Sequence, residues 1–147
     1  MFRRVLVGVD STPLAEQLVT YAADFARAFD ARLSLLHAYD WSERTAMAEA
    51  PTAAVLSDGQ PKEEAEARSR LDHLARPLRA EGLTVDLVVL DDTAADAIVQ
   101  ESQREPETLV VLGAHDHGWL ARLLRGDTSH DVMSRLVTPI LIVPERT

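Results

Sequence analysis

The chain has 147 residues, 46% hydrophobic and 27% charged, which suits one ordinary globular domain spanning residues 1–147. It contains no cysteine, so disulfides, thiolate metal centres, iron–sulfur clusters and cysteine nucleophiles are excluded. Its net charge of −9 argues against nucleic acid or an anionic membrane surface as a partner.

The first apolar run, Val5-Leu6-Val7-Gly8-Val9, is short and nearly unbroken, as expected of a strand buried on both faces. Asp10-Ser11-Thr12-Pro13 ends it, and Ser11 or Thr12 is placed to cap a helix whose first position is Pro13. Leu14, Leu18, Tyr21, Ala22, Phe25 and Phe29 then recur at steps of three and four, which predicts an amphipathic helix from Pro13 to about Phe29. Leu33 to Ala38 reads as the second strand. Residues 40–61 hold no period and contain Pro51, Gly59 and Pro61, so they read as a long, partly mobile excursion.

Lys62 to Glu81 predicts the second helix, with Ala67, Leu71, Leu74, Ala75 and Leu78 as its inner stripe, Pro77 as a kink or end, and Gly82 as a stop. Val85 to Leu90 is the third strand. Thr93-Ala94-Ala95-Asp96 is a capping pattern that opens a helix to about Gln103. Leu109 to Leu112 is the fourth strand. A loop with a helical turn around Trp119 to Leu124 and a helix from about Ser129 to Leu136 lead to a last strand, Pro139 to Val143. Apolar strands alternating with helices predict a single-domain, doubly wound α/β fold: a five-stranded parallel sheet covered on both faces.

Such sheets bind ligands at the carboxyl ends of strands where the winding reverses. The small and polar segments there are Asp10-Ser11-Thr12 and Gly113-Ala114-His115-Asp116. Neither a Gly-x-x-x-x-Gly-Lys-[Ser/Thr] phosphate loop nor a buried lysine is available, because the only lysine is Lys62, within the charged run Lys62-Glu63-Glu64.

From Val5 to Val143 the chain resembles the universal stress proteins. The resemblance rests on Val7-Gly8-Val9-Asp10, the Leu36-His37 pair, the spacing of the last third, and the closing run Val137 to Pro144. It implies a Rossmann-like sheet of the adenine nucleotide alpha hydrolase type. It also implies a nucleotide crevice in which Asp10 meets adenine or ribose and Ala38 meets the base through its backbone, with Ser11 and Thr12 beside them. Nucleotide-binding members carry Gly-x2-Gly-x9-Gly-[Ser/Thr] between the last two strands. Here Gly113 and Gly126 match the first and third glycines, Asp116 stands at the second, and Asp127 stands at the hydroxyl position, followed by Thr128 and Ser129.

The departure matters physically. Glycines let backbone N–H groups approach phosphates, and a hydroxyl adds a donor; a carboxylate supplies none. It also repels: two unit charges ~4 Å apart cost about 4 kcal/mol at an effective dielectric near 20. ATP binding is therefore expected to be weakened or lost, with no cofactor required. The alternative is a working ATP site, with slow or no hydrolysis, in which Asp116 or Asp127 recruits magnesium.

His115-Asp116-His117 with His130-Asp131 offers enough metal ligands in number, but alternate spacing in a loop is a weak metal pattern, and a solvated polar loop is expected. Trp119, Leu120, Leu123 and Leu124 are either sheet packing or a partner surface. A phosphoacceptor receiver is disfavoured: Asp10 has no acidic neighbour and the second half has no lysine.

The resemblance implies a homodimer through the edge strand Ile140-Val143. The sequence therefore predicts a small, cytoplasmic, dimeric stress-response module that acts through contacts with itself or other proteins rather than by turnover.

Overall fold

The structure is a computed structural model that describes residues 1–39, 53–114, 119, 123 and 134–144, with backbone alone for 53–61. Strand β1 (Arg4–Gly8) leads to helix α1 (Ala15–Phe29), β2 (Arg32–Tyr39), α2 (Ala53–Ala80), β3 (Val85–Asp91), α3 (Ala94–Arg104), β4 (Thr108–Ala114) and β5 (Ile140–Pro144). The strands form one five-stranded sheet in the order β3-β2-β1-β4-β5. Every pairing is parallel, as the alternation of strands and helices predicts.

The period of two along each strand divides the core between the faces. Val5, Val7, Leu33 and Leu35 pack with Leu18 and Ala22 of α1 and Leu71 and Ala75 of α2. Leu6, Leu36, Val110 and Leu112 pack on the other side with Ala97 and Ile98 of α3. All of β1 is buried, because it is central and covered twice. β5 is an edge strand, as expected; Ile142 there remains 38% exposed.

Several local expectations need correction. Helix α1 starts at Ala15 with Leu14 as its N-cap, and no side chain caps it. Neither Ser11 nor Thr12 does so, because Thr12 bonds backwards: its backbone N–H donates to Asp10 Oδ1 at 2.9 Å, and its hydroxyl donates to the same oxygen. An aspartate that accepts from the amide two residues on makes a turn of its own and removes the cap from use.

Helix α2 begins at Ala53, nine residues before Lys62, so residues 53–61 are helical and not part of the excursion; 40–52 lie outside the described residues. Once the Ala67, Leu71, Ala75 and Leu78 stripe fixes the helix on the sheet, each further turn costs little, and Gly59 and Pro61 do not stop it. Pro77 likewise leaves the helix running to Ala80, and Gly82, at φ +100°, ends it as a left-handed stop. Thr93 caps α3 as expected, its hydroxyl accepting from Asp96 N–H at 3.1 Å.

Trp119 and Leu123 are fully buried in the second core beside Leu6 and Leu112, so their role is sheet packing and not a partner surface. Leu120 and Leu124 lie outside the described residues. Trp119 also explains Gly8. A Cβ at Gly8 would stand 2.6 Å from the indole Cδ2, so the ring needs a residue without one.

At the amino end of the sheet, Arg4 is buried among polar partners. Its Nε donates to Ser34 Oγ, its Nη1 to the carbonyl of Glu101, and its Nη2 to Glu101 Oε2, each at 2.9 Å. Arg104 donates to the second Glu101 oxygen at 3.0 Å. A buried ion pair holds only when its remaining donors and acceptors are satisfied, and here they are.

Candidate ligand-binding site

The winding reverses between β1 and β4. From β1 the chain moves outward to β2 and β3, then returns to the opposite side of β1 for β4 and β5. Val7 pairs with Val111, so the strands run side by side towards Asp10 on one and Gly113-Ala114 on the other. The two segments picked from the sequence thus leave neighbouring strands at the same end of the sheet, where a crevice is expected.

The tip of β1 is held in place. Val9 N–H donates to Leu36 O at 2.8 Å, extending the pairing towards β2. His37 Nδ1 lies 3.1 Å from the carbonyl oxygen of Val9; a carbonyl only accepts, so this nitrogen carries the proton. Asp10 follows, half-buried, with Oδ1 engaged by Thr12.

Beside this tip lies a cavity of about 440 Å³, within the range of small-molecule sites. It is lined by Asp10, Ser11 and Thr12 after β1, Glu16 of α1, His37 of β2, and Arg70 and His73 of α2. Apolar side chains, among them Val9, Pro13 and Leu71, complete the wall. A ligand here meets the carboxylates of Asp10 and Glu16, the guanidinium of Arg70 and apolar surface.

Of the residues singled out in the sequence, the structure brings Asp10, Ser11 and Thr12 together at this cavity. Ala38 turns its side chain to the opposite face, buried with Leu6 and Leu36. Gly113, the last residue but one of β4, is in register with Val143. His115, Asp116, His117, Gly126, Asp127, Thr128, Ser129, His130 and Asp131 lie outside the described residues. Among the described residues no group of three or more His, Asp or Glu side chains is arranged to hold a metal ion. No described helix is long and apolar enough to cross a membrane.

Nothing in the local sequence marks Glu16, Arg70 and His73 as cavity residues, and His37 stands out only through the Leu36-His37 pair. Arg70 and His73 flank the apolar stripe of α2, where periodicity marks a solvated face. Only the placement of α2 against the tip of β1 turns that flank into a wall.

Comparison with known proteins agrees with this architecture. The model of the universal stress protein family matches residues 1–144. The chain belongs to the universal stress protein family. A family relative from Thermus aquaticus is 29% identical, over 97% of this chain and 99% of its own length. Two solved members share the fold. UspA of Lactobacillus plantarum is similar with a TM-score of 0.72 at 23% identity, covering 97% of each chain. The universal stress protein of Archaeoglobus fulgidus in complex with dAMP is similar with a TM-score of 0.63 at 20% identity, covering 96% of this chain and 97% of that one.

Proposed function

We infer that this universal stress protein is a dimeric, cytoplasmic regulatory module whose crevice takes an adenine nucleotide but has turned against the triphosphate. The observation that carries this reading is the meeting of β1 and β4 at one end of the sheet. It brings Asp10, just past one, to the same end of the sheet as Gly113-Ala114, where a second segment begins. That second segment holds Asp116 and Asp127 where nucleotide-binding members resembling this chain have glycine and a hydroxyl. The Archaeoglobus fulgidus relative, in complex with dAMP, supports a nucleoside monophosphate as the ligand class. Nucleotide occupancy then sets the state of a module that works by protein contact.

Titration calorimetry with AMP and with ATP, each with and without magnesium, tests the reading. AMP is expected to bind at least about tenfold more tightly than ATP, a difference of about 1.4 kcal/mol. ATP binding below about 10 μM would overturn the weakened pocket. If that tight binding needs magnesium and is lost in Asp127→Ser, the carboxylate is recruiting the ion instead of repelling phosphate.

The dimer is assigned to β5, whose edge carries the exposed Ile142 between Pro139 and Pro144. Light scattering is expected to give twice the chain mass, and Ile142→Arg to give a monomer. A wild-type monomer at micromolar concentration would sink this part.

A further inference from the structure

We propose that His37 is a positioning residue of the ligand site: its Nδ1–H, bonded to the Val9 carbonyl, fixes the tip of β1 and so sets where the Asp10 carboxylate meets a ligand. This rests on the nucleotide reading above and adds the residue through which β2 controls that site.

The first observation is a polar side chain at a core position. Alternation along β2 puts His37 on the same face as Leu35 and Tyr39, both in the core that α1 and α2 cover. His37 is itself only 8% exposed. An imidazole there costs stability unless its polar atoms are bonded, and an aliphatic residue would fill the place without that cost. The bond from Nδ1 reaches the backbone just past β1, 28 residues away, and not its own strand.

The second observation is where that bond falls. The ladder from β1 to β4 ends at Val7 with Val111, and the ladder to β2 ends at Gly8 with Leu36. Val9 and Asp10 lie past both. Bonds to β2 carry the order on to Val9: its N–H donates to Leu36 O at 2.8 Å, and its carbonyl accepts from His37 Nδ1 at 3.1 Å. That carbonyl belongs to the same rigid peptide plane as the nitrogen of Asp10, so whatever holds the one holds the other. The turn in which Asp10 Oδ1 accepts from both Thr12 donors then continues from a fixed point. A group that must meet a ligand in one place needs a neighbour that locks it there, and His37 is placed to be that neighbour.

Calorimetric titration with AMP tests the assignment in wild type, His37→Leu, His37→Asn, Asp10→Ala and the double variant His37→Leu with Asp10→Ala. Leu35→Ala controls for a loosened β2 core. The Asn side chain puts an amide N–H where the imidazole has Nδ1–H, whereas Leu has no donor. His37→Leu is expected to lose about tenfold in AMP affinity and His37→Asn to stay within about threefold of wild type. Once Asp10 is already Ala, the Leu change is expected to cost less than about twofold, because the two act as one unit. Leu35→Ala is expected to be destabilised in urea at least as much as His37→Leu and still to bind AMP within about twofold of wild type. The positioning role is overturned, with the nucleotide reading left standing, if His37→Leu binds as wild type does or if Asn loses as much as Leu. The same holds if the loss is independent of Asp10 or is matched by Leu35→Ala. Amide exchange tests the lock without a ligand: the Val9 and Thr12 amides are expected to exchange faster in His37→Leu than in His37→Asn, and equal rates overturn it. A wild type that binds no AMP overturns the nucleotide reading, and the role of His37 towards a ligand falls with it.

Discussion

The two ends of the sheet treat charge in opposite ways. At the amino end, Arg4 is 3% exposed and Glu101 2%, and the pair is completed by Ser34 and Arg104. Arg32 spans Asp86 and Glu105 close by, and Arg3 meets Glu107. At the carboxyl end, Arg70 makes no ion pair among the described residues, and the Asp10 carboxylate is engaged by the turn it starts. The difference separates groups that hold the fold from groups left available to a ligand. A charge already satisfied by protein has little left to give a solute, and an unsatisfied one at a cavity wall keeps its full capacity.

The comparison predicts where substitutions hurt. The largest loss belongs to the amino end. Glu101→Ala leaves the Arg4 guanidinium buried without its carboxylate and is expected to cost about 3–5 kcal/mol in urea unfolding. Replacing both partners, Arg4→Met with Glu101→Leu, is expected to cost less than either single change, because no charge is then stranded. A double variant worse than both singles would mean that the pair contributes net stability.

Next comes Gly8, at the boundary between fold and site. Gly8→Ala drives a Cβ to 2.6 Å from the Trp119 ring, an overpacking expected to cost about 1–3 kcal/mol. Trp119→Leu is expected to recover part of that loss, so a double-mutant cycle should show favourable coupling. Additive losses would mean that the ring moves aside without help from its own replacement. Asp10→Ala follows at about 1 kcal/mol, since it removes the acceptor for two Thr12 donors at a half-exposed turn. Its loss of nucleotide affinity in calorimetry should exceed this loss of stability.

Most of the fold is legible in the sequence because its signals are local. The apolar run Val5 to Val9, the three-and-four spacing from Leu14 to Phe29 and the Thr93 cap each depend on neighbours in the chain. The missed features depend on distant contacts. Helix α2 continues through Gly59 and Pro61 back to Ala53, and propensity alone does not reveal a helix already anchored downstream by Leu71 and Ala75. The local sequence offers no partner for Arg4, the first residue of β1; its burial follows from α3 crossing to place Glu101 at the amino edge, 97 residues away. The site is legible on the same terms. Asp10 is visible because it ends a strand. Arg70 is not, because i, i+3 and i, i+4 spacing separates a polar face from an apolar one without saying what the polar face overlooks.

The smallest expected effect is the most discriminating. Arg70→Ala should change unfolding free energy by no more than about 0.5 kcal/mol, because the side chain is exposed and pairs with nothing that its removal would strand. Arg4→Ala, the same substitution at the other end of the sheet, should lose several kilocalories per mole for the opposite reason: Glu101 stays behind, buried and short of donors. Urea melts of the two variants side by side therefore measure the contrast directly. A loss at Arg70 approaching that at Arg4 would show that the α2 guanidinium is already committed to the fold. Near-neutrality at Arg70, together with a large loss at Arg4, shows that the Arg70 charge has no structural task while the Arg4 charge has one.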